Sequence, residues 1–141
     1  MPKDTDELEH ELKDAGGLEG FLAENEGSLR RYTLREYLSL LLAEKGLNKN
    51  DVIKKSGLER LYGYHIFAGR RKKPSREKML ALAFAMQLSP EETQRLLYYA
   101  GDAPLYVRNR RDSVIWYALN RHLNVIETNI LLEKMNEQPI S

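Results

Sequence analysis

Five cations fall within seven positions of this chain: Arg70, Arg71, Lys72, Lys73 and Arg76, at the end of the stretch GLERLYGYHIFAGRRKKPSR spanning 57–76. Each can neutralise a phosphate, a contact that adds affinity without reading a base. The wider region 54–78 holds nine Lys or Arg against Glu59 and Glu77, whereas 1–28 holds nine Asp or Glu against two Lys. A second cationic knot follows at Arg108, Arg110 and Arg111. The net charge of +1 conceals this segregation. An acidic arm beside a basic middle favours an anionic partner for the middle. The arm itself can fold onto the domain, tune that affinity, or bind a protein partner.

Other chemistry finds little support. His10, His65 and His122 are far apart and lack metal-ligand spacing. With no cysteine, disulfides and thiolate nucleophiles are excluded. There is no glycine-rich phosphate loop and no serine elbow, and the carboxylates sit where helix caps and polar faces account for them. The expectation is a protein without enzymatic activity, metal or cofactor. No apolar run approaches the ~18–20 residues of a membrane span. The N-terminal MPKDTDELEHELKD lacks the basic-then-apolar order of a signal peptide, so a cytoplasmic protein with no membrane partner is expected.

The elements that must position these residues are helices. Strand-type alternation is absent, and 141 residues, 42% of them hydrophobic, suffice for one domain with a real core. Residues 5–14 and 17–25 can be helical within the arm. Thr33 with Glu36 forms a capping box that opens a helix over 34–45, closed by Gly46. Asn48 or Asn50 caps a second helix through Lys55, ended by Ser56-Gly57, and a third runs over 59–68 to Gly69. Pro74-Ser75 starts a helix to about Gln87. Ser89-Pro90-Glu91-Glu92 starts another to Ala100. Asn109 opens a helix to about His122, and Asn124 caps one ending near Asn136.

The chain also echoes itself. Residues 75–97 align with 110–132 at an offset of 35, so that Leu88-Ser89 falls on Leu123-Asn124 and Glu92-Thr93 on Glu127-Thr128. A fainter copy at 36–53 shares the Leu47-Asn48 junction at an offset of 41. Three helical hairpins would suit a small solenoid. With unequal spacing and so few copies, recurrence of similar hairpins in an all-α domain is the preferred reading.

A tight turn at Ser56-Gly57 between two short helices meets the geometric need of a helix-turn-helix. Over 34–92, about 40% of the chain, the sequence resembles the XRE-type (phage Cro and repressor-like) helix-turn-helix family. The carrying pieces are LREYLSLLLAEKGL, DVIKKSGL, Ile66 and Gly69, the basic stretch to Pro74-Ser75, and EKMLALAFAMQLSPEE. The twelve residues from Gly57 to Gly69 fit as well. The resemblance implies a five-helix repressor-like domain whose third helix enters the major groove of double-stranded DNA. It puts Arg60, Leu61 and His65 at base edges, with Tyr62 and Tyr64 beside them. Lys49, Asn50 and the cations after Gly69 would face phosphate. Arg60 can donate bidentately to guanine O6/N7, His65 can donate or accept, and Leu61 can meet a thymine methyl. Two positions depart from the family: Gly63 stands where an aliphatic side chain is usual, and Phe67 where a polar one is common. An aromatic neighbour is expected to replace the side chain missing at Gly63.

Beyond the domain, Trp116, Tyr117 and Ile130 belong to more apolar surface than a minimal five-helix reader needs. They either close a second small core or form a homodimer interface. The expected organisation is an acidic arm at 1–32, a repressor-like domain at 33–101, an added C-terminal helical hairpin at 102–136 and a tail at 137–141. The function implied is a sequence-specific, DNA-binding transcriptional regulator. Its rivals are a protein–protein adaptor or antitoxin-like module that docks through the aromatic third helix, and the helical-hairpin solenoid.

Overall fold

Local capping chemistry sets the elements of the computed structural model, which describes residues 5–14, 32–71 and 73–141. The chain divides into two units, Met1–Tyr32 and Thr33–Ser141. The first contains α1, Thr5–Asp14; the helix expected over 17–25 lies outside the described residues. In the second unit, Thr33 Oγ1 accepts the Glu36 N–H and Glu36 Oε1 accepts the Thr33 N–H, which starts α2, Leu34–Lys45. Asn48 caps α3, Lys49–Ser56, and Glu59 caps α4, Arg60–Phe67. Ser75 caps α5, Arg76–Ala85. Capping boxes at Ser89/Glu92 and Asn124/Glu127 open α6, Pro90–Ala100, and α8, Val125–Lys134. Between these two, Asn109 caps α7, Arg110–Asn120. Every element among the described residues is helical, and none of these helices is long and apolar enough to cross a membrane.

Helix α5 is the hub. Every residue from Met79 to Ala85 is buried, as expected of a helix that is apolar all round. It packs against α3, α6 and α8, while α2 lies on α6. Leu38, Leu41, Ile53, Ile66, Leu96 and Ile115 join it in one continuous core, each fully or almost fully buried. Burying a side chain of this size stabilises the fold by ~1.5–3 kcal/mol. The apolar residues of α7 and α8 therefore do not close a separate small core. Ile115, Ala118, Leu119 and Leu132 belong to the common one. The tail docks too, with Ile140 only 6% exposed.

The echo at an offset of 35 proves to be structural. Gln94 exchanges two hydrogen bonds with the backbone of Leu105 (2.7 and 2.9 Å), and Asn129 does the same with Ile140 (2.8 and 3.1 Å). Arg76 donates to the carbonyls of Ala103 and Pro104; Arg111 donates to those of Gln138 and Pro139. Each pair of positions differs by 35 residues. The two copies also bind each other reciprocally, Arg76 with Asp112 and Arg111 with Glu77. Likewise α5 packs on α8 and α6 on α7. When residue i of one copy meets j of the other, and j meets i, the relation is two-fold. Two-fold contacts close on themselves, so these hairpins do not propagate as a solenoid does.

Candidate nucleic-acid interface

The turn between α3 and α4 is built from short-range bonds. Gly57, with φ +75°, adopts the left-handed conformation that side chains disfavour. Buried Ser56 donates through Oγ to the Ile53 carbonyl and accepts from the Leu58 N–H. Glu59 then turns its carboxylate onto the N–H groups of Leu61 (3.1 Å) and Tyr62 (2.9 Å). These two backbone bonds, Tyr62 first, hold Glu59 below the usual carboxylate range. It therefore stays charged at the leading end of α4.

The eight residues of α4 divide by face. Gly63, Ile66 and Phe67 are buried, Tyr62, Tyr64 and His65 are half-buried, and Arg60 and Leu61 are exposed. Leu61 keeps 59% of its surface in solvent. The space at Gly63 is filled by an aliphatic side chain, not by an aromatic neighbour. A Cβ there would lie 2.7 Å from Ile53 Cγ2. Glycine thus lets α3 approach α4 closely, and Phe67 takes its place in the core.

The half-buried tyrosines act as shelves for cations. Arg71 lies 4.6 Å from the centre of the Tyr62 ring and Arg60 5.8 Å from that of Tyr64. Such contacts are worth ~0.5–1 kcal/mol at exposed sites. The Tyr64 hydroxyl donates to Asn50 Oδ1, which ties α4 back to the start of α3. Lys49 Nζ sits 6.0 Å from the Phe67 ring. Arg60, Tyr64 and Asn50 thus form one set, and Arg71 with Tyr62 a second.

Arg70, Arg71 and Lys73 are exposed, and no carboxylate among the described residues pairs with them or with Arg60. Lys72 lies outside the described residues. Arg76 behaves differently from its expected role at phosphate. Its guanidinium is committed to both oxygens of Asp112 and to two backbone carbonyls. That network fixes the start of α5 to α7 and occupies the Arg76 guanidinium. Arg35 is a cation that sequence reasoning missed. It is exposed, and its aliphatic stem packs on Gly69, where a Cβ would meet it at 3.2 Å. No spacing in the sequence brings the start of α2 to the end of α4.

At the other end, Trp116 is half-buried and packs against the core. Tyr117 is 48% exposed beneath Arg121, and Ile130 is 54% exposed. Ile126, absent from the sequence-based set, is more exposed than either at 73%. No group of three or more metal-binding side chains occurs among the described residues. Comparisons of this chain with protein-family models, with curated proteins and with solved structures find no match.

Proposed function

We propose that this chain binds double-stranded DNA as a helix-turn-helix regulator of the repressor-like type, acting in the cytoplasm. In this reading α2 to α6 form the five-helix domain, α3 crosses the backbone and α4 lies in the major groove. The observation that carries it is the arrangement of Arg60 and Arg71 on Tyr64 and Tyr62. The exposed side of α4 is lined with cations that have no carboxylate partner among the described residues. Arg60 and Leu61 offer the base-reading chemistry, with His65 behind them. Arg70, Arg71, Lys73, Lys49 and Arg35 supply phosphate contacts, as Lys72 would. Each such contact steepens the dependence of log affinity on log salt by ~0.9.

A protein-docking role is favoured by one feature alone: Leu61, Tyr62 and Tyr64 give α4 more apolar surface than hydrogen-bonding groups. Selection from a random duplex pool, followed by titration of the selected duplex at several salt concentrations, separates the two. Binding that weakens steeply with salt, and loses base preference in Arg60→Ala, supports groove reading. A folded chain that binds no duplex at low salt overturns it and leaves the adaptor.

A further inference from the structure

We propose that α8 pairs antiparallel with α8 of a second copy of this chain. The duplication at an offset of 35 makes α6 and α8 equivalent helices, yet their surroundings differ. On α6 the equivalent face is covered by α2, which runs antiparallel across it. Early in α2, Tyr37 packs on Tyr99 at 4.7 Å between ring centres and hydrogen-bonds Arg95. In its last turn, Lys45 pairs with Glu92 at 3.1 Å, the same glutamate that caps α6.

Moving by 35 residues carries Glu92, Arg95 and Leu96 onto Glu127, Ile130 and Leu131 of α8. There no second-unit helix takes the place of α2, and the face is more open to solvent. Leu96 is fully buried whereas Leu131 is half-buried, and Ile130 and Ile126 stand in solvent at 54% and 73%. At Ile130 an isoleucine has replaced a hydrogen-bonding arginine at a solvent-exposed point of this face. That exchange makes it stickier than its equivalent.

The charges identify the occupant. Glu127 caps α8 as Glu92 caps α6. Lys134 is the last residue of α8, as Lys45 is the last of α2. Neither Glu127 nor Lys134 has an ion-pair partner among the described residues. A single helix therefore carries both the receptor's glutamate and the occupant's lysine. Two antiparallel α8 helices would repeat the Lys45–Glu92 pairing twice, Glu127 with the partner's Lys134 and the reverse. The contact is isologous and self-complementary, with Ile130 of each copy meeting near the two-fold axis. It is independent of DNA binding.

Sedimentation velocity of the full chain over a concentration series tests this. Wild type is expected to dimerise, and Ile130→Glu and Ile130→Lys to be monomers with unchanged helical circular dichroism. Mixed together, the two variants are expected to form a 1:1 heterodimer, because the introduced charges meet across the axis. Lys134→Glu is expected to weaken the dimer at least tenfold. A wild type that remains monomeric at high concentration overturns the proposal. So does a dimer indifferent to Ile130→Glu, or a mixture of the two variants that stays monomeric.

Discussion

Gly63 and Ile53 touch so closely that a methyl group on the glycine would lie 2.7 Å from Cγ2 and 3.1 Å from Cγ1 of the isoleucine. Ile53 is β-branched, helical and 3% exposed, so it has little room to rotate away. In Gly63→Ala, a gain of ~0.5–1 kcal/mol in helix propensity opposes an overpacking cost of ~1–3 kcal/mol. The net expectation is a loss of about 1–2 kcal/mol in urea unfolding. In an Ile53→Ala background the same change is expected to stabilise. A Gly63→Ala that stabilises the wild-type chain would show that α3 and α4 are not in tight contact.

Two sets of arginines in one basic stretch should separate cleanly. Arg76→Ala strands Asp112, whose side chain is 9% exposed, and frees two carbonyls. The cost is about 2–3 kcal/mol of stability, below the ~3–5 of a fully buried pair because Arg76 retains 23% exposure. Arg70→Ala with Arg71→Ala should cost no more than about 1 kcal/mol of stability, the lost Arg71–Tyr62 contact included. On the selected duplex it should flatten the salt slope by about 2. Thermal melts and salt titrations of the three proteins check both halves.

The duplicated amide clasps predict matching losses. Gln94→Ala and Asn129→Ala each remove two bonds to an ordered peptide, and each should cost about 1–2 kcal/mol. Denaturant unfolding that shows only the Gln94 variant to be destabilised would mean that the Asn129–Ile140 clasp contributes nothing.

The pH response has two opposing components. In Glu36 and Glu59, bonds to backbone N–H groups hold the carboxyl below its ordinary value of 4.5. At Glu92, burial works against the charge, but the Ser89 N–H and Lys45 outweigh it and the value is again lowered. A folded-state value below the unfolded one gives stability that is present above 4.5 and lost as pH falls through the lowered values. Asp102 runs the other way. Burial raises it above 3.8 against the pull of Arg76, and its Oδ2 is buried without a hydrogen-bond partner. Its contribution is most favourable below 3.8 and is lost as pH rises through the raised value. Asp102→Asn is therefore expected to raise the melting temperature at pH 7, by less than about 1 kcal/mol of stability. The advantage should shrink as the pH approaches 4. A difference that grows on acidification would contradict the sign.

The sequence by itself determined the helices, because caps are local. Thr33 and Glu36, Ser89 and Glu92, and Asn124 and Glu127 each lie within one turn, and the observed helices begin beside them. Glycines 46, 57 and 101 end helices with positive φ, again a property of one residue and its neighbours. The cationic cluster was equally legible, since Arg70, Arg71 and Lys73 are adjacent in the chain and exposed. Long-range partners decided the rest. Arg76 reads as one more cation until Asp112, 36 residues on, takes its guanidinium. Gly63 reads as a gap until Ile53 fills it. The echo between the last two hairpins was visible as letters, but only packing showed its two-fold hand. Helix starts depend on bonds within a turn; which cation is free, and which apolar face is covered, depends on what the rest of the chain brings to it.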